Sequence, residues 1–136
     1  MNLTNYDALI KKAIDARSTS YSPYSSFKVG AAIITVDGEI FSGCNIENAS
    51  FSETVCAERV AIYKAISEGK REFCAIAIVG GKDEISDYTY PCGACRQALS
   101  EFCSDQLEIV LYNGKAMEIS TLGALFPSSF KKDDIK

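Results

Sequence analysis

A chain of 136 residues, 47% of them hydrophobic, is long and apolar enough to bury a core, which excludes a disordered segment. A net charge of −4 argues against the basic surface that nucleic-acid binding requires, and no apolar run approaches the roughly 20 residues that span a bilayer. Six cysteines and no histidine leave sulfur, carboxylate and backbone to carry any chemistry. The start "MNLTNYDALIKK" carries no secretory pattern, so a cytoplasmic protein is expected. In that reducing setting the cysteines suit metal ligands, catalytic groups or core positions better than disulfides.

In chain order, Tyr6, Leu9, Ile10, Ala13 and Ile14 recur at helical spacing and predict an amphipathic helix over Leu3 to Arg17. Ser18 to Ser26 is a Ser/Tyr/Pro loop. Phe27 to Val36 is rich in β-formers, Asp37-Gly38 is a hairpin signal, and Glu39 to Cys44 returns as the partner strand. Asn45 to Glu53 is polar and irregular. From Thr54 the pattern turns helical and stops at Gly69. Phe73 to Val79 is a nearly unbroken apolar run closed by Gly80-Gly81, the pattern of a strand buried on both faces. Cys92 to Phe102 is helical again and Leu107 to Tyr112 is a strand. Asn113-Gly114 is a tight turn, and a strand through Ile119 and a short helix from Thr121 to Leu125 follow. This order predicts an α/β fold: one domain over residues 1–136, a three-layer α-β-α sandwich around a mixed five-stranded sheet.

Three cysteines fall at predicted helix starts. "VCAERV" opens the second helix with Cys56, and "PCGAC" opens the third with Cys92 and Cys95, three residues apart and so on one helical face. Unpaired N–H groups and the dipole at a helix N-terminus favour thiolates. The two helices follow strands expected to be neighbours, so their starts are expected at one edge of the sheet, where open α/β folds place ligands. Three thiolates with no fourth protein ligand describe a catalytic zinc site with an open position, at which bound water becomes hydroxide near neutral pH. Glu58, one turn on, is placed to shuttle protons, and Arg59 to donate hydrogen bonds to thiolate sulfur. Two other readings stay open on the residues alone. Cys92 and Cys95 could form a redox pair. A structural zinc site would need a fourth ligand, for which Cys44 is the candidate and Cys74 and Cys103 suit core positions better.

At these residues the sequence resembles a known family. Cys-Ala-Glu followed by Pro-Cys-x-x-Cys is the all-cysteine signature of zinc nucleoside deaminases. The segments "YSPYSSFKVGAAI", "GCNIENASF", "CAERVAIYKAI", "PCGACRQ" and "LFPSSF" resemble, in order, the short homotetrameric cytidine deaminases over nearly the whole chain. The resemblance implies one Zn2+ per subunit on Cys56, Cys92 and Cys95, with Glu58 as the proton shuttle. It implies a nucleoside substrate whose ribose hydroxyls meet Asn45 and Glu47, whose ring packs on Phe27 and whose carbonyl meets the Ala57 amide. Phe51, where the family often has tyrosine, and Phe130 would contribute to a neighbouring subunit's site. The implied reaction is attack of zinc-bound hydroxide at C4 of cytidine or deoxycytidine, giving uridine or deoxyuridine and ammonia in pyrimidine salvage. A sister enzyme acting on an antibiotic of the blasticidin type shares this zinc core, but "NIEN" and Phe27 favour the plain nucleoside. No nucleic acid or membrane partner is expected.

Overall fold

The computed structural model describes residues 6–135, so Leu3, Thr4 and Asn5 of the first predicted helix lie outside the described residues. Helix α1 (Tyr6–Arg17) is followed by the antiparallel hairpin β1 (Lys28–Thr35) and β2 (Ile40–Cys44). After a single 3-10 turn (Phe51–Glu53) come α2 (Ala57–Ser67), β3 (Phe73–Gly81), α3 (Gly93–Phe102), β4 (Glu108–Tyr112), β5 (Met117–Thr121) and α4 (Leu122–Leu125). A 3-10 turn over Lys132–Ile135 ends the described chain, its residues exposed, and Lys131 pairs with Asp105 at 3.4 Å.

The five strands form one mixed sheet in the order β2-β1-β3-β4-β5. β1 runs antiparallel to both β2 and β3, β3 and β4 are parallel, and β5 closes the other edge antiparallel. Side chains alternate across the strands, so each face has its own core. On one face Ala32, Ala75, Ala77, Val79 and Val110 meet Leu9, Ile10 and Ala13 of α1. On the other, Val29, Ala31, Ile33, Ile76, Ile78, Ile109 and Leu111 meet Ala57, Ala61, Ile62 and Ala65 of α2, Leu99 of α3 and Leu122 of α4. The expected three-layer sandwich and the doubly buried third strand are both present. Each fully buried Ile or Leu in these layers contributes about 1.5–3 kcal/mol as an upper estimate.

Several boundaries move for physical reasons. The second helix starts at Ala57, not Thr54, because Val55 is pulled into an extended bridge with Ile46, the two exchanging N–H···O bonds of 3.0 Å each way. Cys56 and Cys92 are N-caps in extended conformation rather than helical residues. Gly80 and Gly81 do not close β3 but continue it, paired with Val29 and Lys28. Gly80 is needed there because a Cβ would sit 2.3 Å from Thr89 Oγ1. The strands preceding α2 and α3 are not neighbours: β1 lies between β2 and β3. The helix starts still meet, because α2 crosses over β1 and packs beside α3.

Candidate metal centre and ligand cavity

The chain between β2 and α2 is fixed by a small ladder outside the main sheet. Ile46 bridges Tyr21 on one side and Val55 on the other. This stitches the 18–26 loop to the 45–55 loop and sets Asn45, Glu47 and Cys56 around one hollow. The first bond within α2 runs from Val60 N–H to Cys56 O (3.2 Å), so the N–H groups of Ala57 to Arg59 have no partner of the ordinary helical kind.

Cys56, Cys92 and Cys95 are the described residues whose ligand atoms converge, all within 4.8 Å of one another. Cys56 Sγ lies 3.6 Å from Cys92 Sγ, which is 3.4 Å from Cys95 Sγ. Tetrahedral zinc with Zn–S near 2.3 Å holds its sulfurs about 3.8 Å apart, so the three thiols already approach the spacing such an ion imposes. Their electrostatics point the same way. A hydrogen bond from Cys95, with help from Arg59 and Cys92, brings the Cys56 thiol down to about 5. Cys95, donating to Cys56 and buried, is pushed up. Two thiolates in contact resist sharing a site, and a dication on the sulfurs removes that conflict. The donor set therefore fits a thiophilic dication.

The supports are equally specific. Arg59 Nη2 lies 3.6 Å from Cys56 Sγ, and Arg59 Nε is buried with no hydrogen-bond partner among the described residues. Arg96, which sequence reasoning passed over, donates from Nε to Pro91 O (2.7 Å) and from Nη1 to Leu125 O. It ties the Cys92 segment to α4. Cys44 is not in the cluster; its thiol is 3.5 Å from Thr19 O. Cys74 turns to Ile34 O and Thr35 O on β1, and Cys103 packs on the core with its thiol pushed up to about 12 by burial.

A cavity of about 300 Å3 opens over the thiols, within the size range of ligand pockets. Its walls include Phe27, Asn45, Glu47, Cys56, Ala57, Glu58 and Cys92, and also Ser25, Thr89 and Tyr90, which no local motif singles out. Glu58 is 3% exposed. Burial, with the nearby Cys56 charge, pushes its carboxyl up to about 7. Phe27 both lines the cavity and packs on the core. Asn45 Oδ1 accepts from Val29 N–H (2.9 Å) and Ser20 O–H (2.5 Å), and its Nδ2 donates to Phe27 O (2.8 Å). That leaves one amide N–H. Glu47 Oε1 accepts from the N–H groups of Tyr24 (2.9 Å) and Ser25 (3.1 Å), and Oε2 from Ser25 O–H, which holds its carboxyl below the usual range. One acceptor position remains. The pair thus presents one spare donor and one spare acceptor, the complement of a single alcohol. Phe51 (76% exposed) and Phe130 (59% exposed) lie outside this chain's own cavity.

A family model described as the cytidine and deoxycytidylate deaminase zinc-binding region matches residues 3–111. A cytidine deaminase of Sporosarcina psychrophila is 45% identical over 130 residues, covering 95% of this chain and 93% of its own. The crystal structure of cytidine deaminase from Burkholderia pseudomallei superposes with a TM-score of 0.86 at 46% identity, covering 96% of this chain and 100% of that one. A blasticidin-S deaminase of Bacillus cereus is 31% identical over 137 residues, covering 97% of each chain.

Proposed function

Since this chain belongs to the zinc-binding cytidine and deoxycytidylate deaminase family, we propose that it hydrolyses free cytidine and deoxycytidine to uridine and deoxyuridine with release of ammonia, a reaction of pyrimidine salvage. The observation that carries the reading is the buried Glu58 one turn beyond a three-thiol cluster, both at the floor of a nucleoside-sized cavity. Residues 1–136 act as one catalytic domain. No described helix is long and apolar enough to cross a membrane, and the enzyme is assigned to the cytoplasm.

Cys56, Cys92 and Cys95 would hold the zinc, one ion per subunit, which when bound would supply a water acidic enough to attack at neutral pH. The chain's own groups do the rest. Phe27 packs on the base, and the Ala57 N–H, at an open helix start, meets its carbonyl. Asn45 and Glu47 bracket a ribose hydroxyl with their spare donor and acceptor. Glu58 takes a proton from the attacking water, delivers it to N3, and then carries the second to the amine that leaves from C4 as ammonia. Burial of the carboxyl keeps that proton within reach of both the water and the base. Phe51 and Phe130, exposed on the single chain, are assigned to neighbours' sites in a homotetramer.

The test follows ultraviolet absorbance as cytosine becomes uracil in purified, zinc-loaded protein. Conversion is expected, and Glu58→Gln should keep the zinc and lose about 10²–10⁴-fold in turnover. A fully active Glu58→Gln would remove Glu58 from the mechanism. No conversion of cytidine, with turnover of blasticidin S, would move the substrate to that of the Bacillus cereus relative.

A further inference from the structure

We propose that Ser25 is a positioning residue that sets the enzyme's demand for the sugar hydroxyl, by fixing Glu47 and Phe27 relative to each other through one hydroxyl group. The inference rests on the nucleoside reading above. Ser25 Oγ donates to Glu47 Oε2 and accepts from Phe27 N–H at 3.0 Å, and its own N–H donates to Glu47 Oε1 at 3.1 Å. Ser25 lines the same cavity as both partners. The sugar-side carboxylate is therefore tied by a single side chain to the backbone of Phe27, whose ring is held separately by packing on the core.

The hydroxyl also decides what Glu47 can still accept. With both positions of Oε1 taken by N–H groups of Tyr24 and Ser25, and one of Oε2 by the Ser25 O–H, the carboxylate has one acceptor left. Remove the hydroxyl and Oε2 gains a second open position, while the carboxylate is held only through Oε1. The carboxylate then no longer selects one alcohol in one place. The loop is built to hold Ser25: Ser26 N–H closes on Ser22 O at 2.9 Å, and Ser26 takes a φ of 60°, which non-glycine residues adopt rarely. The lowered carboxyl of Glu47, caused chiefly by this hydroxyl, agrees with a carboxylate kept charged for a donor.

The experiment compares cytidine with 3′-deoxycytidine in wild type and Ser25→Ala, with zinc content and circular dichroism recorded for both proteins. The expected result is a loss of about tenfold in kcat/KM for cytidine, carried by KM, with zinc content unchanged. For 3′-deoxycytidine, which lacks the 3′-hydroxyl that cytidine and deoxycytidine both offer the Asn45–Glu47 pair, wild type and variant should differ by less than about twofold. Ser25→Cys, of similar size but a weak donor, should show the same split and serves if Ser25→Ala folds poorly. Equal losses on both substrates would make Ser25 a structural loop residue and overturn the proposal, as would no loss on either. Wild type that converts no cytidine would overturn the deaminase reading and this proposal with it. Wild type that converts cytidine alongside equal losses would overturn this proposal alone.

Discussion

We propose that Arg59 balances the charge of the thiol cluster. Three thiolates on a dication leave a net negative site, which weakens the pull of the metal on water unless a cation or dipole offsets it. Arg59 Nη2 is set against Cys56 Sγ, and the same guanidinium keeps its Nε buried without a partner among the described residues, an arrangement that costs about 1–3 kcal/mol. Arg59→Gln keeps the length and loses the charge. It should lower zinc affinity about ten- to a hundredfold, measured by competition with a chromophoric chelator. Unchanged affinity would leave Arg59 a packing residue. The contact of Arg59 with Cys56 was legible in the sequence, since Arg59 follows Cys56 by three positions and local spacing fixes which residues share a face. Ser25 was not. Its link to Glu47 spans 22 residues and depends on how two loops are stitched, which no local pattern encodes.

Among the elements, the hairpin and the helices were legible because their signals are local. Asp37-Gly38 needs, and Gly38 has, a positive φ (95°), and alternating or helical apolar positions mark the faces that reach the two cores. The start of α2 was misplaced because Val55 answers to Ile46 and Thr54 to the turn at Phe51 and Asn48, rather than to their own helical spacing. The packing of α1 on β1 was also out of reach of periodicity, although it leaves a trace in Gly30. A Cβ there would lie 2.0 Å from Ala13 O and 2.6 Å from Arg17 N, both backbone atoms that cannot rotate away. Gly30→Ala should therefore force α1 off the sheet and destabilise the fold by about 3 kcal/mol, at the upper end of overpacking costs. The urea midpoint should fall. A midpoint equal to wild type would mean that α1 does not seat against this strand.

For the whole molecule, the question is how far the fold depends on its metal. The strand order, with β1 between the strands that precede α2 and α3, means that the two helix starts are brought together by packing on one sheet face. Residues 36 positions apart along the chain thereby come within 3.6 Å, Cys56 to Cys92. An ion at that junction binds the native state and has no such site in the unfolded chain, so it stabilises by mass action. Free zinc at about 100 times its Kd adds about 2.7 kcal/mol. For a chain of this size that is a shift of Tm on the order of 10 °C. The two cores on opposite faces of the sheet contain none of the three cysteines, while α2 contributes Ala57, Ala61, Ile62 and Ala65 and α3 contributes Leu99 by packing alone, so they persist without the ion. Chelation under reducing conditions should accordingly abolish activity and lower Tm by on the order of 10 °C, while far-ultraviolet circular dichroism and a single cooperative transition remain. Restored zinc should return both activity and Tm. Loss of the cooperative transition on chelation would mean instead that the metal, as in small zinc modules, is what holds the chain folded. An unchanged Tm would mean that the three thiols do not bridge α2 and α3 through an ion at all.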